Sequence, residues 1–208
     1  MRILVLGASG GIGRQAVELA LGHGHDVTAF VRDPGRLGVE HERLRVIVGD
    51  VTDASDVQRA VEGQDAVISA LGSAGSRPVH VYSDGIANTV RAMTARGVRR
   101  LVVISAGGVG GKLAELPLSL RFFMSTPAMR EVYADMERME GDVMLSDLVW
   151  TIVRPAGLTD GPLTGRYRTV LGPVVPKASR VSRADVGALA LKCAEGELFA
   201  CAAVAIAY

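Results

Sequence analysis

The chain has 208 residues, 49% hydrophobic and 4% aromatic, with a formal net charge of +1. That length and a core built from Val, Leu, Ile and Ala suit one domain around a parallel sheet, while the near-balanced charge, with Arg99–Arg100 and Arg166/Arg168 as isolated basic pairs, argues against nucleic-acid binding. No apolar run reaches membrane-spanning length, the chain enters its first strand directly, and Cys193 and Cys201 match no metal spacing, so a cytoplasmic protein with buried or reduced thiols, no membrane association and no metal is expected.

The first element is an apolar run of strand length, Ile3–Leu6, followed by Gly7, Gly10 and Gly13 and then a helical pattern over Gly11–His23. A parallel strand that turns sharply into a helix aims several backbone N–H groups, and the positive end of the helix, at one point above the turn. That arrangement suits a pyrophosphate. Gly7 permits the turn, Gly10 lets phosphates approach the backbone, and Gly13 lets the helix pack on the strand. The residues expected around the pyrophosphate are Gly7, Ser9, Gly10, Gly11 and Ile12. An ordinary βα turn is the competing reading, and the position of the motif between a strand and a helix favours the dinucleotide.

Asp26–Val31 reads as the second strand, whose C-terminal end should lie beside the adenine ribose. An NAD site would place Asp or Glu there. Here Arg32 comes first, then Asp33, with Arg36 four residues after Arg32. A planar guanidinium can make paired, charge-assisted hydrogen bonds to a 2′-phosphate, so NADP(H) is preferred over NAD(H). The third strand, Leu44–Val48, ends in Gly49-Asp50-Val51, where Asp50 can accept from the adenine amino group and Val51 can pack on the ring. Alternatively Asp50, Thr52 or Ser55 caps the following helix, Ser55–Glu62.

After strand four (Ala66–Ala70), Leu71-Gly72-Ser73 allows close approach to a ribose or nicotinamide, and Gly75 and Arg77 follow in a loop. A helix is predicted over Val81–Arg96. Strand five, Leu101–Ile104, delivers Ser105 to the crevice, where its hydroxyl can donate to a substrate or to the nicotinamide amide. The segment from Gly107 to Pro127 is glycine-rich and then apolar. It can shape a pocket for a flat hydrophobic substrate, lie buried under the next helix (Met129–Ser146), or form a dimer contact. Strand six, Val149–Val153, runs into Arg154-Pro155-Ala156-Gly157, with Pro155 and Ala156 beside the nicotinamide and Arg154 expected in a structural pair. The remaining Pro- and Gly-rich stretch is an ordered, non-helical excursion. Ser182 is the expected N-cap of a last helix, and Leu198–Tyr208 reads as a final edge strand.

Regular βα alternation predicts an α/β, Rossmann-like, doubly wound parallel sheet with helices on both faces. The whole chain, 1–208, is read as a single NAD(P)-binding domain, with small substrate-side elements within about 107–127 and 154–181.

Taken together, Gly7-Ala8-Ser9-Gly10, Val31-Arg32-Asp33, Val48-Gly49-Asp50-Val51, Gly63-Gln64-Asp65-Ala66-Val67-Ile68, Leu71-Gly72, Ser105-Ala106 and Gly161-Pro162-Leu163-Thr164-Gly165 resemble the atypical short-chain dehydrogenase/reductases of the biliverdin reductase B/flavin reductase-like NAD(P)H-binding group, over essentially the whole chain. The resemblance implies an NADPH-dependent reductase of flavin or a similar planar acceptor (quinone, tetrapyrrole), with flavin as substrate rather than bound cofactor. It also implies a monomer or small homo-oligomer, with Ser105 as the catalytic polar contact. Two departures bear on the chemistry. The wider superfamily's Tyr-x-x-x-Lys pair is missing: Tyr82, Tyr133 and Tyr167 are followed four residues on by Ile86, Glu137 and Leu171. Ala156 stands where the biliverdin reductase relative carries a histidine, which counts against tetrapyrrole reduction in particular. The missing pair leaves a rival reading, a non-catalytic NADP(H)-binding redox sensor of the NmrA-like regulatory type. A nucleotide-sugar epimerase would need the same tyrosine and a larger C-terminal lobe.

Overall fold

The computed structural model describes residues 1–73, 79–112 and 116–208. The loop expectation for Gly75 and Arg77 lies outside them. In β1 (Arg2–Leu6) every residue after Arg2 is buried. Its apolar side chains divide between two cores because strand residues alternate faces. Ile3 and Val5 pack with α1 (Gly11–Gly22) and α6 (Arg183–Glu195). Leu4 and Leu6 pack with α2 (Ala54–Val61), α3 (Val81–Arg96) and α5 (Pro127–Met144). A strand covered on both sides needs a continuous apolar run, as the sequence has here.

The other strands are β2 (Asp26–Val31), β3 (Leu44–Val48), β4 (Ala66–Ser69), β5 (Arg100–Ile104), β6 (Val149–Pro155), β7 (Gly157–Thr159), β8 (Arg168–Leu171), β9 (Arg180–Ser182) and β10 (Ala202–Ala207). Among the described residues the main sheet has the order β3-β2-β1-β4-β5-β6-β10-β8, parallel except for β8, which runs antiparallel to β10. The fold is therefore Rossmann-like, and the strand order reverses between β1 and β4. In such sheets that reversal opens a crevice above the carboxyl ends of the strands.

The structure corrects several local expectations. The last strand is not an edge: β10 is hydrogen-bonded to β6 on one side and β8 on the other. The excursion after β6 supplies β8 as the edge, and also β7 and β9, which pair in a small sheet of their own. Helix α2 is capped by Asp53, which accepts from the amides of Ser55 and Asp56, and not by Asp50, Thr52 or Ser55. A short helix, α4 (Leu118–Ser125), lies within the apolar segment, and α5 begins at Pro127, a residue pre-set for the first helical turn. Ser182 does cap α6, accepting from the amide of Asp185.

Three buried polar side chains hold distant parts together. Arg100 donates to the carbonyls of Cys193 and Val149, both at 2.8 Å, and to Thr151 Oγ1 at 2.7 Å. Helix α3 has no capping side chain of its own, and Asp135 of α5 accepts instead from the amides of Tyr82 and Ser83. Arg154 of β6 donates from Nε to Glu140 Oε1 of α5 at 3.0 Å, and from its terminal nitrogen to Oε2. Both cysteines are free: Cys193 is buried, which pushes its thiol up to about 11, whereas Cys201 is exposed. No helix among the described residues is long and apolar enough to cross a membrane.

Candidate functional site

Gly7 ends β1 at φ +74°, and a Cβ there would stand 2.4 Å from the Ala70 carbonyl oxygen after β4. The two strands flanking the crevice thus approach too closely for any side chain. Helix α1 starts at Gly11 with Gly10 as N-cap, no side-chain cap and no acidic residue in its first turn. Its first amides are left for an external acceptor, at the positive end of the helix.

Above this end lies a cavity of about 320 Å³. Its lining includes Gly7, Ser9, Gly10, Gly11, Ile12, Arg32, Arg36, Asp50, Val51, Leu71 and Gly72, every residue the sequence reading places on the pyrophosphate, ribose and adenine side. Phe30, Val31, Asp33, Leu158 and Arg183 line it too. Asp33 accepts from the Gly35 amide at 3.0 Å and caps the short 3-10 turn Pro34–Arg36, so its carboxylate is committed locally. Arg32 and Arg36 are exposed, and their guanidinium groups make no hydrogen bond or ion pair among the described residues. Asp50 accepts from the Thr52 amide and hydroxyl at 2.9 and 2.8 Å, and these bonds hold its carboxyl below the ordinary value. It remains an ionised acceptor at neutral pH.

The crevice continues into a second cavity of about 670 Å³, which shares Ile12, Leu71, Gly72, Leu158 and Arg183 with the first. Ser105, Pro155 and Ala156 line it at the ends of β5 and β6. Ser105 is 5% exposed, and its hydroxyl has no hydrogen-bond partner among the described residues. Much of the remaining lining is apolar, including Pro117, Leu120, Phe123, Met136, Val174 and Val175. Within the segment 107–127, Leu120 and Phe123 line this cavity, while Leu116 is buried and Met124 packs against the core that includes Met136 and Met139 of α5.

Tyr133 also lines the larger cavity, from α5, and its hydroxyl donates to the Gly107 carbonyl at 3.0 Å. Burial raises this phenol, the opposite of what a neighbouring lysine does in a Tyr–Lys pair. Arg154 lines the cavity as well, but its guanidinium is neutralised by Glu140, in the structural pair expected for it.

Sequence reasoning missed Arg183. The side chain of this first residue of α6 passes so close over Gly11 that a Cβ there would meet its Cδ at 2.4 Å. Its guanidinium bonds Asp160 at 2.6 Å, and the side chain lines the same cavity as Gly10, Gly11 and Ile12 at the start of α1. A signal was present in the chain: a cation in the first turn of a helix opposes the helix dipole, and so calls for another reason to be there. Asp185, two residues on, is fully buried and accepts from the Thr164 hydroxyl and amide, the Gly165 amide and the Tyr208 hydroxyl at 2.7, 3.0, 2.8 and 2.8 Å. Burial pushes this carboxyl up, but the donors from Thr164, Gly165 and Tyr208 outweigh it and leave it below the ordinary value. Asp185 thus ties the Gly161–Gly165 loop to the helix that carries Arg183.

Comparison with known proteins gives the family and the fold. YwnB of Bacillus subtilis is 31% identical over 196 residues, which cover 89% of this chain and 88% of that protein. A 3-beta-hydroxysteroid dehydrogenase of Mycolicibacterium neoaurum is 36% identical over 120 residues, and the matched part spans 52% of this chain but only 32% of the dehydrogenase. The crystal structure of ChuY, an anaerobillin reductase from Escherichia coli O157:H7, superposes with a TM-score of 0.81 at 23% identity, covering 100% of this chain and 97% of that one. The family model described as NAD(P)H-binding matches residues 7–197, and the chain belongs to that NAD(P)H-binding, oxidoreductase-like family.

Proposed function

We propose that the protein is an NADPH-dependent reductase that delivers hydride to a planar acceptor, with flavin the first candidate and quinones and tetrapyrroles of the same class. The observation that carries this reading is the Ser105 hydroxyl, buried and without a partner among the described residues, on the wall of an apolar cavity that opens from the dinucleotide cradle. A buried hydroxyl left unpaired costs about 1–3 kcal/mol, so it is poised to bond a group that enters. When bound, NADPH supplies the hydride.

In this reading the chain's residues bind and orient. The α1 amides and Arg183 hold the pyrophosphate, Arg32 and Arg36 the 2′-phosphate, and Asp50 and Val51 the adenine. Leu71 and Gly72 lie by the ribose. Ser105, Pro155 and Ala156 set the nicotinamide against the acceptor, and Leu120, Phe123 and Met136 exclude water from its other face. No lysine lines either cavity among the described residues, and Tyr133 is held protonated. The site therefore suits an acceptor that takes its proton from solvent, as a reduced flavin does, better than a ketone that needs a protein acid.

The test is NADPH oxidation with and without FMN, run in parallel with NADH. Ser105→Ala is expected to lower the FMN-dependent rate roughly tenfold or more, with a much smaller change in NADPH affinity. An unchanged rate would remove Ser105 from the reaction. Tight NADPH binding without turnover, across flavin and quinone acceptors, would replace the reductase by the redox sensor.

A further inference from the structure

A second cluster of reactive side chains lies at the other end of the two helices that frame the cradle. His23 is the C-cap of α1, and Gly24, at φ +80°, turns the chain so that His25 follows just before β2. A side chain would strain that left-handed position. The turn brings both imidazoles to Glu195, the last residue of α6. Glu195 Oε1 stands 2.7 Å from His23 Nδ1 and 2.8 Å from His25 Nε2. The three groups offer ligand atoms that all lie within 4.8 Å of one another, and the two rings are tilted by 58°. The side chains of His25, Glu195 and His23 are 14%, 28% and 55% exposed, so the cluster is sheltered on one side and open to solvent on the other.

We propose that His23, His25 and Glu195 bind one divalent transition-metal ion of the zinc, cobalt or nickel class, with water completing the coordination. Two imidazole nitrogens and a carboxylate are the donor types such ions prefer over the all-oxygen sets of magnesium and calcium. Zinc holds imidazole nitrogen at about 2.0–2.1 Å and carboxylate oxygen at about 2.0–2.2 Å, so tetrahedral ligand atoms lie about 3.3 Å apart. The present N···O separations are those of hydrogen bonds, about half an ångström shorter. Replacing the bridging imidazole protons with one cation requires each N···O pair to open by that amount, while the two imidazole nitrogens, within 4.8 Å of each other, settle around the ion. The sequence reading, guided by cysteine spacing, expected no metal. These ligands are instead two histidines, two residues apart, and a carboxylate about 170 residues further on.

The location assigns the ion a structural role. Helix α1 is 12 residues long, which puts its C-terminal end about 18 Å from the pyrophosphate cradle. A metal there is too far away to touch the reacting atoms. It joins the C-terminal ends of α1 and α6, whose N-terminal ends bring Gly11 and Arg183 together, and Gly187 of α6 packs against Gln15 and Ala16 between them.

Metal-free protein would be titrated with ZnCl₂ by calorimetry, and with CoCl₂ by visible absorption, at neutral pH. The expected result is one ion per chain, Co²⁺ d–d bands of a site with fewer than six ligands, a Zn²⁺-dependent rise in melting temperature, and proton release. Binding should weaken as the pH falls, because protons compete with the metal for the imidazole nitrogens. His23→Ala and Glu195→Gln are each expected to weaken Zn²⁺ about tenfold or more, while His41→Ala leaves it unchanged. Circular dichroism and NADPH affinity of the metal-free variants check that they fold. Absence of binding to the folded wild type, or equal binding by the folded His23→Ala/Glu195→Gln double variant, would overturn the proposal.

Discussion

Replacing Glu140 with alanine is expected to destabilise the protein by about 3–5 kcal/mol, on the order of 10 °C in melting temperature for a chain of this size. Arg154 and Glu140 have side chains only 6% and 4% exposed, and their bidentate contact lies between β6 and α5. Arginine does not shed its proton in a protein, so removing the carboxylate leaves an uncompensated cation inside. Glu140→Gln keeps the shape and one acceptor, and its loss should be smaller. The double variant Glu140→Met/Arg154→Met should recover much of the stability, because removing both charges also removes the desolvation cost. Urea unfolding of the four proteins measures this directly. A loss below about 1 kcal/mol for Glu140→Ala, the range of solvent-exposed pairs, would mean that water reaches Arg154 through the cavity it lines.

The second large effect concerns cofactor choice. Arg32→Glu is expected to weaken NADPH on the order of 100-fold, and NADH by less than about threefold. A hydrogen bond to a charged group contributes about 1.5–3 kcal/mol, and here a favourable cation is replaced by an anion facing a phosphate dianion. The free guanidinium groups of Arg32 and Arg36, and the local commitment of Asp33 to the Gly35 amide, are the observations behind this. Arg183→Ala serves as the counterpart. Proposed to meet the pyrophosphate shared by both cofactors, it should weaken NADPH and NADH alike, by about tenfold. Equilibrium binding followed by nicotinamide fluorescence separates the two patterns. Equal losses of NADPH and NADH in Arg32→Glu would remove the 2′-phosphate assignment.

Much of the site was legible in the chain because its backbone half is local. Gly7, Gly10 and Gly13 are spaced along one strand–turn–helix, and the apolar runs at Ile3–Leu6 and Leu101–Ile104 can only be strands covered on both sides. The carboxyl ends of β3, β4 and β5 then carry Asp50, Leu71 and Ser105 to one edge of the sheet. What failed was also specific. The last strand was read as an edge because nothing local shows that β8, from an irregular excursion, turns back antiparallel beside it. The α2 cap was assigned among Asp50, Thr52 and Ser55, while Asp53, between two of them, makes the bonds. Four capping-type side chains in six residues compete for the same amides, and periodicity does not rank them.

By itself the sequence determined the alternation of strands and helices, the glycine turn and the Ser182 cap, since each depends on residues within a few positions of one another. The tertiary structure decided where Arg183 lies over Gly11, that Asp135 caps a helix other than its own, that Glu140 neutralises Arg154, and that Glu195 meets His23 and His25. Each joins groups from different elements, and their distances are set by how the helices pack on the sheet rather than by any spacing along the chain.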